Sequence, residues 1–493
     1  MKKRTLIVLS AIIMLALTMP ALLAQGAEEQ TSNKSVSTRH SSVIRGRKID
    51  YTATAGTITV EEGESKCELF YIAYTRDDVD NPDERPITFA FNGGPGVSST
   101  YINFLCLGPK IMETDAIGHS ENLPGRIIDN YNSLLDVTDL VFIDAVETGY
   151  SYTDDNLEDF IGYWNDVVTT GDFILKYLNS HDRFGSPLYI AGESYGTTRA
   201  VGVCKYLEAD YSIGVRGLIL LSSINDFMYY VSGDGNNDLP FAMFTPTYAA
   251  DAWYHGCVEQ KYLDMSLEDY LDLVCTFVRD EYYPALFSGR GLSDGKKDEI
   301  AGKYASLTGL SKEYVLSFNL RIKSNDFFDK LLEKQNMRVG RYDGRFSGQK
   351  TDSSIMDGSG DPSSFDLDLP LRAAVNNHIS KDLAYQTDRN YIPYSSDVNY
   401  GWSFDSDNLF FSQERMIQDL LSKNSKLKIW VLCGYYDGAT PFFGAENVFN
   451  HVFVNESRED SISFSYYPAG HMFYLDKSSF DSFRLEAEKW YRN

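Results

Sequence analysis

Two segments near the start of the chain, residues 52–61 and 68–74, alternate apolar and polar positions and are rich in β-branched and aromatic side chains. This pattern predicts an antiparallel hairpin. Six later runs, at 87–91, 140–145, 188–191, 218–221, 428–432 and 464–467, are apolar with little alternation. Runs this short suit strands buried on both faces. Helical stretches separate them, and strands alternating with helices imply a parallel sheet with right-handed crossovers.

The rhythm breaks between Leu221 and Lys428, where the pattern becomes mostly helical. Ser266-Leu267-Glu268-Asp269 reads as a helix start, with Leu267, Tyr270, Leu271, Val274 and Phe277 or Val278 on one face. Further helices are predicted around 296–306, 312–319 and 324–336, and the Ser-, Gly- and Asp-rich stretch 349–366 reads as a loop. Residues 251–400 are expected to form a helical cap insertion over the active end of the sheet. The sheet core then comprises residues 48–250 and 401–493. No internal repeat is visible.

At the N-terminus, Lys2-Lys3-Arg4 precedes an apolar run from Leu6 to about Leu23 that closes on Ala24-Gln25-Gly26-Ala27. This predicts a secretory signal over residues 1–26, with an uncleaved anchor as the alternative. Residues 27–47 are polar and are expected to form a flexible tether. No later segment is long and apolar enough to span a bilayer, so the expected place is periplasmic or extracellular, with envelope association open.

The chain has 493 residues and a net charge of −25, with nothing resembling a basic stripe, which argues against nucleic acid. Its six cysteines form no Cys-x-x-Cys pair. Cys204 and Cys433 sit in apolar runs and read as buried thiols, while pairing of Cys257 with Cys275 stays open.

The candidate chemistry begins at Gly192-Glu193-Ser194-Tyr195-Gly196. It follows a strand-like run and opens into a helix-compatible one, the context of a nucleophile elbow. A second match, Gly291-Leu292-Ser293-Asp294-Gly295, has no strand before it and reads as a surface loop. A serine needs a base, and the base an orienting acid. In an α/β-hydrolase these follow in the order Ser, Asp, His. The run at 428–432 leads into Asp437, and the run at 464–467 leads into His471 in a Gly-containing loop. Oxyanion donors are expected from the N–H of Tyr195 and from Asn92-Gly93-Gly94-Pro95-Gly96, the loop after the 87–91 run. The histidines show no His-Glu-x-x-His spacing, and this chemistry requires neither metal nor cofactor.

With these segments assembled, the chain resembles the serine carboxypeptidase family. The resemblance rests on Asn92-Gly93-Gly94-Pro95-Gly96-Val97-Ser98-Ser99, on the elbow, on Asp437-Gly438-Ala439-Thr440-Pro441 and on Ala469-Gly470-His471-Met472. Ile143-Asp144-Ala145-Val146-Glu147-Thr148-Gly149-Tyr150-Ser151 is similar to another segment lining the family's site. Residues 239–255 and 314–345 look like bacterial members. The resemblance implies an α/β-hydrolase fold, a mostly parallel central sheet flanked by helices. It also implies release of one residue from a peptide's free C-terminus. Ser194 would be the nucleophile, His471 the base, Asp437 its orienter, and Gly94 and Tyr195 the oxyanion donors. Asn92 and Glu193, with Gly93 beside them, would bind the substrate carboxylate. A protonated Glu193 can donate to that carboxylate, so acidic pH should favour binding. The chain departs from the family pattern at Ala90, Val97 and Glu147, where the family often has tryptophan, cysteine and glycine.

Other functions fit the same residues. An esterase or acyltransferase could use the same triad, since the elbow does not choose the acceptor. A catalytically idle binding protein could keep the triad under a closed insertion.

Overall fold

The computed structural model describes residues 35–229, 237–350, 360–364, 367–404 and 411–492. The expected signal segment lies outside them. Nine strands carry the main sheet: β1 (Ser35–Ile44), β2 (Arg47–Glu62), β3 (Ser65–Arg76), β4 (Ile87–Phe91), β5 (Asp139–Ile143), β6 (Leu188–Glu193), β7 (Gly217–Leu221), β8 (Lys428–Gly434) and β9 (Ile462–Tyr467). Their spatial order is β1-β2-β3-β5-β4-β6-β7-β8-β9, and the short strand Tyr152–Thr153 pairs with β3. From β5 to β9 every pairing is parallel, with Ile87 opposite Leu188, Gly217 opposite Tyr189 and Ile429 opposite Ile462. The hairpin β2–β3 and the β3–β5 pair are antiparallel.

The apolar runs lack alternation because both faces of the sheet are covered. Leu218 and Leu220 face one core with Phe173 and Val203 of helices α1 (Tyr163–Ser180) and α2 (Tyr195–Tyr211). Ile219 and Leu221 face the other with Phe483 and Ala487. Those two residues lie on the C-terminal helix Lys477–Arg492.

The expected tether ends sooner than the sequence suggests. Residues 35–44 form β1, paired along its whole length with β2. Arg45 and Gly46 turn the chain with φ of 48° and 77°, the double positive φ of a tight hairpin turn. Ladder hydrogen bonds hold this polar strand, with Ser42 and Ile44 buried on its inner side. Residues 27–34 lie outside the described part.

Between β7 and β8 the chain is mainly helical, with α3 (Leu239–Tyr254), α4 (Leu267–Phe277), α5 (Asp294–Thr308) and α6 (Ser324–Lys330). The boundary expected at 250/251 falls inside α3, which packs against α4 and α5. The helical insertion therefore begins at Leu239. Ser266 caps α4 as expected, accepting from Asp269 N. The second elbow-like match is not a loop: Ser293 caps α5, accepting from Lys296 N. Met337–Val339 pairs with Ser347–Gln349, so the strap between them doubles back toward the sheet. The expected loop at 349–366 falls largely outside the described residues. All six cysteines, Cys257 and Cys275 included, are free thiols.

Candidate active site

The elbow is built from close approach. Ser194 joins β6 to α2 with φ 58° and ψ −129°, a conformation that few side chains adopt. A Cβ on Gly192 would lie 2.1 Å from Gly196 O, and one on Gly196 would lie 2.9 Å from Phe91 O. Neither position has room for a side chain. Ser194 N donates to Leu221 O at the end of β7 (2.9 Å), and Thr197 Oγ1 donates to Ser194 O (2.7 Å).

The Asn92–Gly96 loop leaves β4 and lies directly on this elbow. A Cβ on Gly93 would stand 2.4 Å from Tyr195 N and 2.5 Å from Gly196 N. Gly94, at φ 100°, is exposed. Asp144 fastens the far end of the loop through Ser99 N and Ser99 Oγ, both at 2.7 Å. Below the elbow runs a buried pair the sequence did not single out. Arg199 Nε donates to Asp166 Oδ2 (2.7 Å), and Arg199 Nη1 donates to Asn92 O (2.7 Å). Tyr195 Oη also donates to Asp166 Oδ2 (3.0 Å). A charged side chain inside the apolar stretch of α2 was the available signal.

His471 and Asp437 meet as expected, with Nδ1 2.7 Å from Oδ2. Asp437 is fully buried and also accepts from Ala439 N, Thr440 N (both 2.8 Å) and Thr440 Oγ1 (2.6 Å). A carboxylate this well supplied with donors accepts from Nδ1, which leaves Nε2 as the acceptor of a neutral imidazole. Burial lowers the pKa of His471, but the charge and hydrogen bond of Asp437, with the charge of Glu193, raise it further, and the net shift is upward. Ser222 Oγ donates to His471 O (2.5 Å). Ser194 and His471 are thus both bonded to the adjoining residues Leu221 and Ser222.

Glu193 is 3% exposed. Asn92 Nδ2 donates to its Oε1 (2.9 Å) and Tyr474 Oη to its Oε2 (2.6 Å). Ile102 N donates to Asn92 Oδ1 (3.0 Å), which fixes the amide so that its NH2 faces Glu193. Burial pushes the Glu193 carboxyl up to about 7, against the opposing effects of His471, Tyr474 and Asn92. Tyr474 was not identified from the sequence, although it lies three residues beyond His471.

The helical insertion reaches this site through its strap. His471 N donates to Tyr342 O (2.6 Å) and Gly470 N to Asp343 Oδ2 (3.1 Å). Arg345 grips both sides, donating to Asp343 Oδ2 (2.7 Å), Asp476 Oδ2 (3.0 Å) and Pro468 O (3.1 Å). A Cβ on Gly470 would lie 2.3 Å from Tyr342 O, so the strap and the histidine loop touch backbone to backbone.

Residues 45–210 match the serine carboxypeptidase family. Serine carboxypeptidase-like 3 of Arabidopsis thaliana is 29% identical over 202 residues, and serine carboxypeptidase-like 13 of the same plant is 27% identical over 197. Each match covers 39% of this chain and 44% of the relative, so the chain spans less than half the length of these relatives. Among solved structures, KEX1(delta)p, a prohormone-processing carboxypeptidase from Saccharomyces cerevisiae, superposes with a TM-score of 0.56 at 15% identity. That match covers 88% of this chain and 89% of the other, and it establishes the α/β-hydrolase fold.

Proposed function

We propose that this chain, whose residues 45–210 match the serine carboxypeptidase family, is a serine carboxypeptidase acting on peptides with a free C-terminus. Ser194 Oγ attacks the carbonyl of the last peptide bond. His471 Nε2 takes the serine proton and passes it to the departing amine, while Asp437 holds the imidazole and stabilises its charged form. The N–H groups of Gly94 and Tyr195 receive the oxyanion. The acyl-enzyme then passes to water, with His471 again as base.

One observation carries the choice of substrate. A buried carboxyl, Glu193, precedes the serine in sequence and is held by Asn92 and Tyr474. Ionised, it would repel a substrate carboxylate; protonated, it donates to one. Its pKa of about 7 makes the neutral form dominant in mildly acidic solution. Asn92 supplies the second donor, with Gly93 beside it.

Glu193 and His471 interact electrostatically, so their protonation is linked. The working state has the proton on Glu193 and a neutral His471; protonating Glu193 removes a charge that helps raise the His471 pKa, so the imidazole releases its proton more readily in that state. Transfer of that proton to His471 would remove the base and set a negative charge against the substrate carboxylate. Both effects select the same protonation state for a peptide with a free terminus. Treatment with a serine-directed organophosphorus reagent tests this assignment: it should label Ser194 stoichiometrically and stop release of C-terminal amino acids. Persistent release after full labelling would overturn it.

A further inference from the structure

Beside Asp437 lies a cavity of about 70 Å³ that the triad does not use. It is well above the roughly 15 Å³ that one water requires. Gly438 and Ala439, directly after Asp437, form one side of it. Phe241, Phe244 and Tyr248 of α3 form an apolar wall. At its edge stand two exposed cations, Lys323 and Arg341.

These cations differ from their neighbours. Arg321 is paired with Asp238, and Arg345 with Asp343. Among the described residues, Lys323 and Arg341 form no ion pair. The Arg341 guanidinium lies over the ring of Tyr342 (5.1 Å), with a long contact from Nη1 to Tyr342 Oη (3.5 Å). Its backbone N–H donates to Asp361 Oδ2 (2.6 Å). The Tyr342 ring is in turn 5.5 Å from that of His471. A Cβ on Gly438 would lie 2.9 Å from Arg341 O, so Arg341 is packed onto the loop of the triad acid. In a chain of net charge −25, two cations without an ion-pair partner thus stand at one cavity, with the Asp361 carboxylate taken up by the Arg341 backbone N–H.

We propose that this cavity is a subsite for an acidic side chain on the residue preceding the scissile bond. The side of the bond follows from the two faces of the sheet. Tyr474, which holds Glu193 of the carboxylate clamp, packs in the core on one face with Phe473 and Phe483, whereas Phe241, Phe244 and Tyr248 of the cavity wall pack in the core on the other. The clamp and the cavity therefore lie toward opposite faces. With the leaving residue held at the clamp, the acyl residue extends toward Gly438 and Ala439. Its glutamate or aspartate carboxylate meets the exposed Lys323 and Arg341, with the aromatic side chains of α3 beside it.

This inference rests on the carboxypeptidase reading, and its test separates the two. N-blocked dipeptides with one constant C-terminal residue and Glu or Gln before it are compared at about pH 6, between the ordinary glutamate pKa and that of Glu193. The expected kcat/KM ratio of Glu to Gln is about ten, the scale of one charge-assisted hydrogen bond. In the Lys323→Gln, Arg341→Gln double variant the ratio should fall to about one. Lys323→Glu alone should turn the preference toward a penultimate lysine. A wild-type ratio near one, or a ratio unchanged in the double variant, overturns the subsite. If no peptide is cut, the carboxypeptidase reading fails. The same ratio measured on N-blocked Glu and Gln p-nitrophenyl esters then decides the subsite, and loss of ester hydrolysis as well would overturn both.

Discussion

The Tyr474 phenol donates a 2.6 Å hydrogen bond to Glu193 Oε2 in a site closed to solvent. That bond favours the ionised carboxyl and opposes the upward push of burial. Tyr474→Phe should therefore raise the Glu193 pKa above about 7. The alkaline rise in KM for peptides with a free C-terminus should move to higher pH by about one unit. Steady-state KM between pH 5 and pH 9 is the measurement, and an unmoved rise would mean that another group is being read.

Glu193→Gln keeps a donor and removes the titration. KM for the same peptides should lose its pH dependence between about pH 5 and pH 8.

The same variant has a second consequence, for stability. The Glu193 carboxyl lies at about 7 when folded against an ordinary 4.5, so the folded state binds its proton more tightly. Its contribution is complete below about pH 4.5 and declines as pH rises through about 7, by on the order of 3 kcal/mol. Tm of Glu193→Gln should thus gain on wild type between pH 4.5 and pH 8. Parallel Tm curves over that range would contradict the assignment.

Asp437→Asn should lower kcat by about 10³- to 10⁴-fold with a small change in KM, because the orienting acceptor for His471 Nδ1 becomes a group that can also donate. A loss below about tenfold would remove Asp437 from the triad.

Arg345 ties the strap to the histidine loop while 9% of its side chain is exposed. Arg345→Gln should leave the charge of Asp343 poorly paired and reduce kcat by about 10- to 100-fold through misplacement of His471. Arg345→Lys should recover part of that loss. A change in KM alone would assign the strap to substrate binding.

Much of this architecture is legible in the chain because its local rules agree. The runs at 87–91, 188–191 and 428–432 lie within β4, β6 and β8, since strands buried on both faces need apolar residues at every position. Asp437 is found through its place after β8, and His471 through its place after β9. What the sequence hides depends on distant approach. Arg345 reaches Pro468 O and Asp476 from the other side of the insertion, a pairing that no local pattern encodes. The strand β1 is hidden for a related reason, because its polar residues are held by ladder bonds to β2 and carry no hydrophobic signature. Tyr474 is invisible because its position relative to Glu193 arises only when the turn Phe473–Leu475 folds back beneath the elbow.

The decisive measurement is release of the C-terminal amino acid from an N-blocked dipeptide at about pH 5 to 6, beside the same dipeptide with an amidated terminus and beside Ser194→Ala. Release that requires Ser194 and falls at least about tenfold on amidation is expected, since amidation removes the charge that Asn92 and Glu193 are arranged to receive. Equal release from the free and amidated peptides, or release that survives Ser194→Ala, would refute the assignment.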